Sequence, residues 1–137
     1  MLRSKSRLIN GLSTLTDDGR THEVRTDLPP DQGGENQGTS PLELVVMAYS
    51  SCTVTLFKMI ADKKRISIHD LEVIVEAEKP DSMGTILSLK TFIRVKSIET
   101  QEELEKIKNM VIKSCPVGAI IEKANIPSVM ILEKVKS

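Results

Sequence analysis

The two cysteines are the strongest nucleophiles in this sequence, so thiol chemistry is the first chemistry to consider. Cys52 lies in residues 48–53, Ala-Tyr-Ser-Ser-Cys-Thr, where a long apolar segment becomes small and polar. Small neighbours would leave room beside the thiol, and the hydroxyls could support a polar pocket. The alternative is that Cys52 is a small core residue, because free cysteines are among the most buried residues.

Cys115 has a different local setting. It directly precedes Pro116, which fits the first position of a short helix. Cys115 would then be the N-cap, where unpaired amides and the helix dipole favour a thiolate. The alternative is an inert cysteine at a helix junction.

Glu43 is an acidic residue with both a structural and a functional interpretation. With Ser40 and Pro41 it forms a capping box, which predicts a helix start and a structural role. A carboxylate could also orient an arginine beside a reactive thiol. On one helix Glu43 and Cys52 would lie roughly 13 Å apart along the axis, on opposite faces. They would meet only if the same helix of a second protomer ran antiparallel to the first.

Other kinds of site are not predicted. His22 and His69 have no Cys, Asp or Glu at ligand spacing, so we expect no metal. Gly33, Gly34 and Gly38 form neither a phosphate loop nor a dinucleotide fingerprint, so we expect no cofactor. The serines have no plausible histidine and acid around them, which disfavours a serine hydrolase.

Length and composition limit the number of domains, the kinds of partner and the cellular compartment to be expected. The 137 residues suit a single domain over residues 1–137. Nineteen acidic residues balance nineteen basic ones with no polybasic stripe, which disfavours nucleic acid and anionic membrane. We expect no membrane span, since no stretch approaches roughly 18 apolar residues, and no signal peptide. The expected compartment is the cytosol, where thiols stay reduced.

The pattern along the chain predicts an α+β fold, an antiparallel sheet with helices on one face and a long buried central helix. Residues 28–38, rich in Pro and Gly, would form either a wall of the site or an exposed connector. The predicted elements are strands 3–16 and 20–27 joined at Asp17-Asp18-Gly19, helix 42–60, strands 68–78 and 85–96 joined by a turn at 79–84, a helix opened by a capping box at 100–103, a short helix from Pro116 to Lys123, and strand 129–135.

The central helix also predicts the assembly. Between residues 42 and 60 only Glu43 and Lys58 are charged, so the helix is apolar nearly all round. A helix without a polar face is buried on all sides, and one small domain can cover only one of them. We therefore expect a homodimer built around this helix.

Three motifs together resemble one family. Gly38-Thr39-Ser40-Pro41-Leu42-Glu43-Leu44, the stretch at 48–52, and Ser114-Cys115-Pro116-Val117 are similar to the OsmC/Ohr family, and the resemblance covers essentially the whole chain. It implies an intertwined homodimer with two active sites at the interface. It also implies that Cys52 attacks a hydroperoxide as thiolate and becomes a sulfenic acid. Cys115 would then form a disulfide with it, and an external dithiol would restore the reduced pair.

The sequence departs from the family's peroxidases at two places. Their catalytic Glu directly follows the helix-opening Pro, whereas here Leu42 stands in that place and Glu43 follows it. Their catalytic Arg corresponds to Arg7, Arg20 or Arg25, of which Arg25 is favoured by its strand leading to the Gly-rich loop. An Arg would stabilise the thiolate and hold the carboxylate.

Three functions remain open from the sequence. The first is a thiol peroxidase that acts on organic or inorganic hydroperoxides, with catalytic residues Cys52, Cys115, Glu43 and Arg25. The second is a non-catalytic dimer of the OsmC type that binds a small apolar or thiol-bearing ligand. The third is a structural or interaction module with two buried cysteines.

Overall fold

The computed structural model describes residues 1–80 and 84–136, so the middle of the predicted turn at 79–84 lies outside the described residues. The chain divides into two units, Met1–Val45 and Val46–Ser137. Its strands are β1 (Lys5–Asn10), β2 (Ser13–Asp17), β3 (Glu23–Thr26), β4 (Asp70–Glu78), β5 (Ser88–Lys96) and β6 (Ser128–Val135). Its helices are α1 (Pro41–Lys63), α2 (Gln101–Ser114) and α3 (Pro116–Lys123), with a short 3-10 turn at Pro30–Gln32. The predicted α+β class is confirmed.

The first unit holds a three-stranded antiparallel sheet in the order β1-β2-β3. The predicted single strand over residues 3–16 is wrong, because Gly11 and Leu12 form a tight turn that divides it into β1 and β2. Gly11 has a positive φ of 50°, which glycine adopts without steric cost. The predicted hairpin at Asp17-Asp18-Gly19 is confirmed as the connection from β2 to β3.

The loop at residues 28–38 is organised by a buried carboxylate. Asp27 accepts hydrogen bonds from the amides of Leu28 (2.7 Å), Gln37 (3.1 Å) and Glu35 (3.3 Å). The Leu28 bond in particular lowers the pKa of Asp27. Gly34 belongs to the same arrangement, since an added Cβ would lie 1.9 Å from the carbonyl oxygen of Leu28. The Asp27 carboxylate therefore holds the loop in place through the loop's backbone amides.

The start of α1 follows the predicted capping box. The Ser40 amide donates to Oε1 of Glu43 at 2.8 Å, and the Glu43 amide donates to Oγ of Ser40 at 3.1 Å. These bonds satisfy amides that a helix start otherwise leaves unpaired. The hydrogen bond from the Ser40 amide, and next the one with the Ser40 hydroxyl, lower the pKa of Glu43.

The second unit holds a three-stranded sheet in the order β4-β5-β6. β4 and β5 form the predicted antiparallel pair, with Leu71 opposite Val95 and Val73 opposite Ile93. β6 instead runs parallel to β5, so the expectation of an antiparallel sheet is wrong for this strand. The two helices α2 and α3 connect β5 to β6, and a connection between parallel neighbours needs such a crossover.

The core of the second unit packs α1 and α2 against this sheet. Its buried members are Phe57, Ile60, Ala61, Ile93, Val95, Leu104, Ile107, Val111 and Leu132. On α2 the side chains of Leu104, Ile107 and Val111 are buried, whereas Ile112 is 51% exposed. Leu87, which directly precedes β5, is 54% exposed.

The helix α1 is less buried than predicted. Its buried residues are Tyr49, Thr53, Phe57, Ile60 and Ala61, whereas Met47 and Met59 are about half exposed. Among the described residues α1 is long and apolar enough to cross a membrane, which the sequence expectation denied. Length and composition alone are weak evidence for a span, because core helices meet the same criterion. Part of the apolar surface of α1, which includes Met59, is therefore exposed to solvent in one chain.

Candidate functional site

The two cysteines meet although they are 63 positions apart in the sequence. Both are free thiols, and their Sγ atoms lie 2.9 Å apart, with Cys115 as donor and Cys52 as acceptor. A disulfide bond is about 2.05 Å long, so bond formation would require the sulfurs to approach by about 1 Å. Cys52 is partly exposed and Cys115 is 4% exposed. The pair therefore has one accessible and one buried sulfur.

Cys52 is positioned by the middle of α1. The hydroxyls beside it do not form the expected polar pocket: Ser50 donates to the Met47 carbonyl at 3.0 Å, and Thr53 donates to the Tyr49 carbonyl at 2.9 Å. Such bonds return hydroxyls to the helix's own backbone. The polar contact that the structure describes for the Cys52 side chain is the hydrogen bond from the Cys115 thiol.

Cys115 is positioned by the junction of α2 and α3. It is the N-cap of α3, with Pro116 as the first helical residue, as predicted. Its Sγ accepts the Gly118 amide at 3.2 Å. The expectation that this position favours a thiolate is wrong, because burial, and next the hydrogen bond with Cys52, raise the pKa of Cys115 above its ordinary 9.0. The amides of Gly118 and Val117 oppose that rise without overcoming it.

A cavity of about 240 Å³ lies beside Cys115. It is lined mostly by apolar side chains of α2, α3, β6 and the segment between α3 and β6, and its polar members besides Cys115 are Tyr49 of α1, Glu122 of α3 and Ser128 of β6. The Tyr49 hydroxyl lies 3.5 Å from Oγ of Ser128. Gly118 packs closely against both groups, because an added Cβ would lie 3.3 Å from Cβ of Cys115, 3.4 Å from the Tyr49 ring and 3.5 Å from the Cys115 sulfur.

Sequence reasoning missed Tyr49, Gly118 and Ser128 as neighbours of the thiols. The only local signal was Gly118, a weak helix former at the third position of a helix that follows a cysteine. Tyr49 lies one turn before Thr53 on the buried face of α1, so only the assembled packing brings it to the cavity.

Glu43 and Arg25 belong to the first unit, and the structure does not join them. Arg25 donates through Nε to Oγ of Ser13 at 3.1 Å, while Glu43 is held in the capping box with Ser40. Within residues 1–80 and 84–136 no ion pair links Arg25 with Glu43. Their assignment to the site stays a prediction.

The other two candidate arginines differ in their surroundings. Arg20 forms an ion pair with Asp18 at 3.2 Å. Arg7 lies on β1 opposite Leu15, which in turn lies opposite Arg25 on β3. Residues opposite one another in a sheet share a face, so Arg7 and Arg25 flank Leu15 on one side of the first sheet.

The described residues contain no group of three or more His, Cys, Asp or Glu side chains arranged to hold a metal ion. The chemistry that the geometry allows is thiol chemistry: nucleophilic attack by the accessible sulfur, and disulfide formation with the buried one.

Comparison with known proteins identifies the family. The model of the OsmC-like protein family matches residues 34–129, which include both cysteines. The chain is also 28% identical over 109 residues to organic hydroperoxide resistance protein-like 1 of Staphylococcus saprophyticus, with 72% of this chain and 77% of that protein covered. The protein belongs to the OsmC-like family.

Solved structures agree with this fold. An OsmC-like protein from Mycoplasma pneumoniae superposes with a TM-score of 0.83 at 14% identity, covering 99% of this chain and 96% of the other. An organic hydroperoxide resistance protein OsmC from Legionella pneumophila gives a TM-score of 0.72 at 18% identity, covering 97% and 96%. At these identities the likeness concerns the fold alone.

Proposed function

We propose that this protein is a thiol peroxidase that reduces organic or inorganic hydroperoxides with Cys52 as nucleophile and Cys115 as resolving thiol. The 2.9 Å separation of the two sulfurs carries this function, because a resolving cysteine must reach the oxidised nucleophile without a large backbone movement. The names of curated relatives that concern organic hydroperoxide resistance support the substrate class.

The reaction begins with attack of the Cys52 thiolate on the terminal oxygen of the hydroperoxide. The O–O bond breaks, Cys52 becomes a sulfenic acid, and the alkoxide leaves and takes a proton to give the alcohol. The Cys115 thiol then attacks the Cys52 sulfur, which releases water and forms the disulfide. An external dithiol reduces this disulfide and is itself oxidised to a disulfide.

The hydrogen bond between the thiols favours this division of roles. The Cys115 thiol donates a hydrogen bond to the Cys52 sulfur, so its own proton is engaged in that contact. The partial exposure of Cys52 admits a peroxide, while Cys115 is buried and has a raised pKa, mainly from burial. Cys52 is therefore the better placed nucleophile.

Glu43 and Arg25 enter the proposal as supporting charges. An arginine would stabilise the Cys52 thiolate, and Glu43 would hold the arginine, in a homodimer that packs around α1. The half-exposed apolar side chain of Met59 on α1 supports this dimer. We also propose that residues 1–137 act as one domain in that assembly.

The cavity beside Cys115 favours a second candidate, a non-catalytic protein that binds a small apolar ligand. Its volume of about 240 Å³ and its mostly apolar lining suit such a ligand. In that case the Tyr49 and Ser128 hydroxyls would bind a polar end of the ligand, and the thiols would remain reduced during its binding.

The rate of peroxide consumption tests the first candidate. The reduced protein is given cumene hydroperoxide or hydrogen peroxide with excess dithiothreitol, and the remaining peroxide is followed over time. We expect multiple turnovers for the wild type, and loss of at least about a hundredfold in rate for Cys52→Ser.

The Cys115→Ser variant is the matched control, since it removes the other sulfur of the same pair. It should still consume one equivalent of peroxide rapidly, and dimedone should trap a sulfenic acid on Cys52. If Cys52→Ser consumes peroxide as fast as the wild type, Cys52 is not the nucleophile. If the wild type consumes none, the ligand-binding candidate gains support.

A further inference from the structure

The two sulfurs of the pair differ in access and in their backbone donors. Cys52 is partly exposed, while Cys115 is 4% exposed. The rate of thiol–disulfide exchange depends on which sulfur the attacking thiolate can reach. In a disulfide between these residues, a reductant from solvent would reach Cys52 first.

The second difference concerns the leaving group. Cys115 accepts the Gly118 amide at 3.2 Å, and its position as the α3 N-cap keeps this donor in place. Cys52 lies in the interior of the 23-residue α1, where amides are already bonded to carbonyls of the same helix. A thiolate that leaves at Cys115 therefore has an amide donor that a thiolate leaving at Cys52 lacks.

Burial acts against a thiolate at Cys115, but one of the causes of its raised pKa disappears on oxidation. In the reduced pair, burial and then the hydrogen bond with Cys52 raise the pKa of Cys115. When Cys52 is part of a disulfide, it no longer accepts that proton. The amides of Gly118 and Val117, which lower the pKa, remain.

From these two asymmetries, and on the basis of the proposed function, we infer that the external dithiol attacks Cys52 of the disulfide and that Cys115 leaves toward the Gly118 amide. In this step the reductant thiolate forms a bond to the Cys52 sulfur while the Cys52–Cys115 bond breaks, and Cys115 departs as thiolate. The second thiol of the reductant then attacks its own bonded sulfur. Cys52 leaves as thiolate, and the reductant becomes a disulfide.

The cavity beside Cys115 provides the competing route. Because Cys115 is among its lining residues, a small thiol could enter there and attack Cys115 instead. Cys52 would then be the leaving group, without an amide of its own. The two routes place the reductant on different cysteines, so they are chemically distinguishable.

A monothiol stops the reaction at the first step and records which sulfur was attacked. The disulfide is first made with diamide, so its formation does not depend on peroxidase activity. The oxidised protein is then treated briefly with 2-mercaptoethanol, and excess N-ethylmaleimide is added afterwards in denaturant, where it consumes the remaining mercaptoethanol and alkylates the released protein thiol. Peptide mass spectrometry locates the mercaptoethanol adduct and the maleimide adduct.

We expect mercaptoethanol on Cys52 and maleimide on Cys115, with a preference on the order of tenfold or more. The same reaction in guanidinium chloride is the control. There the ratio of mercaptoethanol on Cys52 to mercaptoethanol on Cys115 should fall toward one, because in the unfolded chain the two sulfurs no longer differ in exposure or in amide donors. Mercaptoethanol mainly on Cys115, equal labelling in the folded protein, or failure of diamide to join the two cysteines would overturn the inference. Loss of peroxide consumption in the separate rate assay would contradict only the proposed function.

Discussion

The Cys115 thiol donates a hydrogen bond to the Cys52 sulfur across 2.9 Å, from the N-cap of α3 to the middle of α1. This contact makes the two sulfurs unequal, since one holds the shared proton and is buried while the other accepts it and is partly exposed. The proposed peroxidase chemistry uses this inequality twice, once when Cys52 attacks the peroxide and once when Cys115 closes the disulfide.

The pH dependence of Cys115 alkylation should reflect this setting. Burial and the bond with Cys52 raise the pKa of Cys115, so the midpoint of its labelling by iodoacetamide should lie at higher pH in the folded protein than in the unfolded chain. Cys52→Ala removes the second cause and should lower the labelling midpoint, though not to the unfolded value. Peptide mapping across pH 7 to 11 measures both, and labelling of folded Cys115 below pH 8 would contradict the burial argument.

The same shift has a consequence for stability. Because the folded pKa of Cys115 is raised, the stability contributed by its protonated thiol is present below the unfolded value and is lost as pH rises through the folded one. The free energy of unfolding should therefore fall above pH 9 more steeply in the wild type than in Cys115→Ala. Urea titrations at pH 7 and pH 10 give this comparison.

Alanine substitutions at two glycines of the first unit should show the separate effects of steric crowding and of backbone conformation on stability. At Gly38 an added Cβ would lie 2.3 Å from the Arg25 carbonyl oxygen, so Gly38→Ala should destabilise the protein by about 3 kcal/mol. At Gly11 nothing lies within 4 Å, and Gly11→Ala should cost only about 1 kcal/mol from its positive φ. Chemical denaturation measures both. Equal effects would mean that the loop relaxes around the new methyl group.

A buried hydroxyl of β5 offers a route to greater stability. Within the described residues Oγ1 of Thr91 is buried without a hydrogen-bond partner, whereas the equally buried Thr53 donates to the Tyr49 carbonyl. Thr91→Val should stabilise the protein by about 1 kcal/mol, and Thr53→Val should destabilise it by about the same. Thermal denaturation of the two matched variants decides this, and destabilisation by Thr91→Val would indicate a partner for that hydroxyl.

The exposed apolar face of α1 predicts the oligomeric state. If a second copy covers Met59, which is 49% exposed in one chain, the wild type should sediment as a dimer. Met59→Glu should raise the dissociation constant by about thirtyfold or more, since a buried unpaired charge is costly at an interface. Lys113→Glu, a charge change on exposed α2, is the control. An unchanged dimer in Met59→Glu would place the interface elsewhere.

The helix starts were predictable because their chemistry is local. Ser40 with Glu43, Thr100 with Glu103, and Cys115 before Pro116 are each decided within four residues, and each caps its helix as expected. The division of the first predicted strand was missed although Asn10-Gly11 is a known hairpin signal. The weak apolar alternation of residues 3–16 did not reveal that the chain reverses there.

What could not be predicted depends on distant parts of the chain. The parallel pairing of β6 with β5 and the burial of Cys115 both follow from packing that no local pattern encodes. The N-cap position of Cys115 correctly predicted an amide donor, but burial raises the pKa more than that donor lowers it. The contact of Cys115 with Cys52 was expected only from the family resemblance, because their spacing in sequence says nothing about distance.

The most direct test of the proposed chemistry is the state of the two cysteines after one equivalent of cumene hydroperoxide. The fully reduced protein is mixed with the peroxide, remaining thiols are blocked with N-ethylmaleimide, and peptides are mapped by mass spectrometry. We predict a Cys52–Cys115 disulfide that has lost two hydrogen atoms, together with one equivalent of the alcohol. Two maleimide-labelled cysteines and unchanged peroxide would contradict a peroxidase role for this pair.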